Sequence, residues 1–152
     1  MKKWICIALL AVLAAMTCAG TAETAEAPAT LEAVLSEFAL GEEMMPLTEE
    51  DLSDIYGIEA EDVAQFAAAV NSTGIKADEI VLVEAVDADA AARVKEALDN
   101  RFQSKLNELE NYLPEEYAVT KACSVESEGN FVAMIVAPNA ADLVKLYNDF
   151  IG

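Results

Sequence analysis

Apolar residues recur along this chain at two spacings, and each spacing points to an element. Leu31, Val34, Leu35 and Phe38 fall three and four apart, which predicts a short amphipathic helix ending near Gly41. Thr48-Glu49-Glu50-Asp51 reads as a helix start, with Thr48 as N-cap and Asp51 reaching back to it. Leu52 and Ile55 share a face of that helix, and Gly57 stops it. From Val63 to Val70 the pattern changes to alternation and a strand is expected, although the alanines there leave a helix open. Asn71-Ser72-Thr73-Gly74 is a turn, and Glu79 to Val86, dense in β-branched residues, is the second strand.

Asp87-Ala88-Asp89 then offers N-caps for a long helix. Its stripe is Ala91, Val94, Leu98, Phe102, Leu106, Leu109 and Leu113, and Pro114 marks its end. A strand is expected from Ala118 to Val125, a turn over Glu126 to Asn130 around Gly129, and a strand from Phe131 to Ala137. Pro138-Asn139 opens a last helix with Leu143, Tyr147 and Phe150 inward. Val81–Lys95 lies over Phe131–Lys145 as a weak apolar repeat, in which Asp89 falls on Asn139. The fold predicted is α+β. Two consecutive strand–strand–helix units build a four-stranded antiparallel sheet, with the helices on one face and short N-terminal helices ahead of it.

That arrangement has a consequence for the sheet. If Val81, Val83, Ala85, Phe131, Ala133 and Ile135 point at the helices, then Leu82, Val86, Val132, Met134 and Val136 point away. The outer face would then be apolar apart from Glu84. It would either meet a partner such as an envelope protein, a second copy of the chain or a peptide, or lie under the N-terminal helices of residues 31–56.

The N-terminus carries a different message. Met1-Lys2-Lys3 is a positive start, Trp4 to about Met16 is apolar but short for a membrane span, and small residues follow: an export signal. Cys18 sits where a lipoprotein signal places its acylated cysteine, after Ala15-Met16-Thr17. Ordinary cleavage near Thr17-Cys18-Ala19 or Gly20-Thr21-Ala22 is the alternative. Residues 19–30 hold no large apolar side chain and read as a flexible tether, which favours a membrane anchor on Cys18. The expected organisation is a leader over 1–18, a tether over 19–30 and one domain over 31–152. The protein is expected at the outer face of the bacterial cytoplasmic membrane if lipidated, and secreted otherwise.

Composition narrows the function classes. The chain has 152 residues, 28 acidic against 9 basic, for a net charge of −19. Such a surface repels phosphate backbones, so nucleic-acid binding is excluded as an expectation. There is no histidine, and hence neither the commonest general base nor the commonest metal ligand. No serine lies in a G-x-S-x-G or S-x-x-K context, and no glycine loop is built to cradle phosphate. Asp87-Ala88-Asp89 stops short of a calcium loop. Cys123 stands alone beyond the leader and is expected to be a small buried hydrophobe on a strand. Tyr56 is expected to pack at a helix stop, and Lys95 and Arg101 to form salt bridges with neighbouring acids of the Glu96 type. The reading is a non-enzymatic binding protein with no cofactor; a small-ligand or cation-binding lipoprotein is the alternative, and a cryptic enzyme a distant third.

Ile55-Tyr56-Gly57-Ile58, Glu61-Asp62, Ala77-Asp78-Glu79-Ile80, Val94-Lys95-Glu96-Ala97-Leu98, Arg101, Tyr112, Pro114, Tyr117 and Gly129-Asn130-Phe131-Val132 together carry a likeness. From about Leu47 to the C-terminus the chain resembles domain of unknown function 4358, exported proteins of Firmicutes, mainly clostridial gut species. The resemblance implies a lipoprotein-like leader, and it supplies no catalytic residues.

Overall fold

A computed structural model describes residues 30–152; Cys6, Cys18, the leader and most of the tether lie outside them. The chain runs α1 (Leu31–Glu37), β1 (Met44–Pro46) and α2 (Glu49–Asp51), which widens into a π turn over Leu52–Tyr56. A 3-10 turn (Ala60–Asp62) leads into β2 (Val63–Asn71) and β3 (Glu79–Ala85). Then come α3 (Ala88–Glu110), α4 (Pro114–Lys121), β4 (Val125–Glu128), β5 (Phe131–Val136) and α5 (Ala140–Ile151). The fold is α+β, with an antiparallel five-stranded sheet in the order β1-β2-β3-β5-β4.

Local chemistry accounts for most of these boundaries. The Thr30 hydroxyl accepts from the Ala33 N–H at the start of α1, and Asp87 accepts from Ala90 at the start of α3. Thr48 and Asp51 form the expected capping box. Gly57 closes the π turn in the left-handed region, at φ 69°.

Four expectations need correction. The sheet has a fifth strand, β1, which is three residues long and contains Pro46 at the sheet edge, too brief for an alternation to register. Residues 118–121, expected to start a strand, are helical and belong to α4. Pro114 opens α4 with its fixed φ, Glu115 and Glu116 occupy the positive end of the helix and Lys121 the negative end. The β4–β5 turn is only Gly129-Asn130, because Glu126 to Glu128 belong to β4.

The fourth correction concerns the faces. Each strand does turn the expected side chains toward the helix that follows it. Val81, Val83 and Ala85 pack under α3, and Ala133 and Ile135 pack under α5. The register, however, sets Val81 opposite Met134 and Leu82 opposite Ala133. That odd offset puts the two sets on opposite faces, so α3 and α5 cover different sides of the sheet. α3 shares its face with Val132, Met134 and Val136; α1 and α5 share theirs with Ile80 and Leu82. The expected outward face is therefore interior. Leu82, Val132, Met134 and Val136 are fully buried, and only Val86, just past β3, is exposed, at 50%.

Candidate functional site

Buried polar groups gather at one end of the sheet, where β2 ends, β3 begins and β5 ends. Glu79, the first residue of β3, is wholly buried on the α3 face. Arg101 from α3 donates Nε to Oε1 and Nη2 to Oε2, each at 2.9 Å. Lys105 Nζ lies 2.9 Å from Oε2, and the Tyr56 hydroxyl donates to Oε1 at 2.8 Å. Burial alone would raise the Glu79 carboxyl, but the Arg101 hydrogen bonds and the charges of Lys105 and Arg101 hold it below the usual carboxylate range. Burial and the Glu79 charge push the Tyr56 phenol up, so it stays a donor. A carboxylate with its lone pairs filled by four such donors takes up neither a proton nor a metal at neutral pH. Glu79 is an anchor for the fold.

Two further carboxylates tie the chain in the same way. Glu116, at the start of α4, accepts from the Ala77 N–H at 2.8 Å and from Lys76 at 2.7 Å. Asp62 receives both arms of Arg93. Lys95 pairs with Asp99 one helical turn on, at 2.6 Å.

The α1/α5 face of the same sheet end is different. The hairpin register continues past Val70 and Glu79 to Asn71 and Asp78, where the Asn71 N–H donates to the Asp78 carbonyl at 2.9 Å. Their side chains therefore emerge beside each other on the α1/α5 face. Asn71 is 8% exposed, and its Oδ1 accepts from the Thr73 N–H at 2.9 Å and from the Thr73 hydroxyl. Its Nδ2 is buried with no partner. The half-buried Asp78 carboxylate takes part in no hydrogen bond or ion pair among the described residues. Burial, reinforced by the Glu116 and Glu43 charges and opposed by Lys76 and Lys105, raises it above the usual range. Both line a cleft of about 180 Å³ with Glu43 and Asn139, walled by Phe38, Leu40, Met44 and Ile80. Ala39, in the loop beside it, has φ 48°, a strained value for a residue with a side chain. An unmet donor beside an unmet acceptor, with an apolar wall, is a constellation for holding a small polar molecule.

Sequence reasoning places Tyr56 and Arg101 correctly as packed and paired groups, but it does not bring them together on Glu79. Cys123 follows α4 rather than lying on a strand; its thiol donates to the Val119 carbonyl at 3.2 Å, and burial raises it. Among the described residues no cluster of acids or cysteines has the geometry of a metal site. Asn71 and Asp78 are visible in the sequence only as a turn residue and as part of Ala77-Asp78-Glu79-Ile80. The signal that joins them is the hairpin itself, which sets the residues flanking its loop opposite one another.

No curated protein and no solved structure matches this chain. Residues 37–137 match the family model described as "Domain of unknown function (DUF4358)", a span from the end of α1 to the residue after β5 that takes in both Glu79 and the Asn71–Asp78 pair. The chain belongs to the DUF4358 family.

Proposed function

We propose that this is an exported, lipid-anchored binding protein of the bacterial cell envelope, without catalytic turnover. The observation that carries the binding reading is the cleft: Asn71 and Asp78 both line it, the Asn71 Nδ2 is buried without a partner, and the Asp78 carboxylate enters no hydrogen bond or ion pair among the described residues. The strongly bound carboxylates elsewhere serve the fold, and in this cleft an outside molecule would complete the bonding. The leader and Cys18 support export and anchoring: residues 1–18 are the signal, 19–30 the tether and 31–152 the presented domain.

Two measurements test the two halves. The N-terminal peptide of the protein from its host is expected to begin at Cys18 and to carry a diacylglycerol mass. A peptide beginning near Gly20 or Glu23 without lipid would make the protein a released one. A screen of small amines, metabolites and metal ions is expected to raise the melting temperature with at least one of them. An unchanged melting temperature across the screen would end the binding reading.

A further inference from the structure

We propose that the cleft between β2, β3 and the start of α5 binds an α-ammonium group that stands next to a neutral carbonyl. Free amino-acid amides and the N-termini of peptides both present that chemistry. The inference rests on the binding reading and goes on to name the ligand class; it does not depend on the anchor.

The lining sets the requirements. Two carboxylates, Asp78 and Glu43, line the cleft, and neither has a cation of its own among the described ion pairs. The occupant must therefore bring positive charge. The Asn71 Nδ2 is a donor more than nine-tenths buried, so the occupant must also bring an acceptor oxygen. The two requirements lie side by side, because Asn71 and Asp78 are opposite residues of one hairpin. An ammonium on Asp78 with its own neighbouring carbonyl on Asn71 meets both within one residue of ligand.

Size and wall complete the description. A space of about 180 Å³ takes one small residue rather than a large metabolite. Phe38, Leu40, Met44 and Ile80 offer a short apolar side chain a surface, and Asn139 is the remaining polar group on the rim. A free α-carboxylate would meet Asp78 and Glu43 in a molecule of net charge −19, so zwitterionic amino acids are disfavoured and amides or peptide ends preferred.

The test is calorimetric titration of the purified protein with L-alaninamide, trialanine, N-acetyl-L-alaninamide and L-alanine. Alaninamide, trialanine or both are expected to bind, with the acetylated compound weaker by about tenfold or more, the loss of one charge-assisted bond. Trialanine tighter than alaninamide would identify peptide ends as the source; equal binding would identify small free amines. Asp78→Asn is expected to weaken binding by about tenfold or more while the protein stays folded by circular dichroism. If that variant does not fold, Glu43→Gln on the exposed rim decides, with a severalfold loss expected at low salt. Absence of binding by both amines, equal binding of the acetylated compound, or unaltered binding in the variants would each overturn the proposal. Should the wider melting screen find another ligand while these amines fail, the ligand class falls and the binding reading stands.

Discussion

Glu79 and Asp78 are neighbours in the chain and opposites in physics. Glu79 points to the α3 face and has every lone pair engaged by Tyr56, Arg101 and Lys105. Glu79→Ala strands two cations and a phenol in the interior, and breaking a buried pair from one side costs about 3–5 kcal/mol. Chemical denaturation is expected to show that loss, and a variant within about 0.5 kcal/mol of the parent would remove the anchor role. The pH dependence follows from the same bonds. The Glu79, Asp62 and Glu116 carboxyls are all held below their ordinary values, so their stabilisation is complete above about pH 4–5 and is lost as pH falls through the lowered values. Thermal melts are therefore expected to fall steeply on acidification below about pH 4. Asp78 has the opposite sign. Its raised carboxyl opposes folding once pH passes its ordinary value, and the full cost is present above the raised one. Asp78→Asn is accordingly expected to raise the melting temperature at pH 7 while weakening amine binding, the pattern of a group kept for function rather than for stability. A lowered melting temperature would place Asp78 among the structural ties instead.

Elements are legible in this sequence to the extent that they carry their own punctuation. Thr48 with Asp51, Gly57, Asp87 and Gly129 each announce a boundary that the structure keeps, because capping and positive φ are local effects. Residues 118–121 mislead because Ala118-Val119-Thr120 resembles strand sequence, whereas Pro114 and the charges at both ends of α4 decide the matter. Of the cleft, the sequence holds the residue types but not their meeting, since Asn71 and Asp78 gain their meaning only from strand pairing. The largest departure is one step of register. Side-chain parity within β3 and within β5 follows from the sequence, yet parity between strands depends on which residue pairs with which, and no local pattern encodes that. The consequence is measurable at Met134, which an exposed sheet face would leave tolerant of change and the observed one buries completely. Met134→Ala is expected to cost about 2–5 kcal/mol in chemical denaturation. A cost near zero would restore the open face.

At the scale of the whole molecule, charge dominates. Residues 30–152 hold seven lysines and arginines, and Lys76, Arg93, Lys95, Arg101 and Lys105 are all paired with acids. A sixth, Lys121, lies over the Tyr117 ring at 5.4 Å. Most of the basic side chains are thus engaged by acids of the fold, and most of the remaining carboxylates face solvent without a cation. Such a surface keeps copies apart and draws cations toward it, the ammonium ligand among them. It also works against the compact state, and salt separates the two effects. Going from about 0.01 M to about 1 M salt shortens the screening length from about 30 Å to about 3 Å. Repulsion between exposed acids is then cut, while the buried Glu79 bonds are screened much less. The melting temperature of the free protein is therefore expected to rise with sodium chloride, and amine binding in the same titration to weaken. A melting temperature that fell with salt would mean that attractive surface pairs outweigh self-repulsion. Binding that held constant would mean that the cleft recognises shape without charge, and Asp78 and Glu43 would lose their part in it.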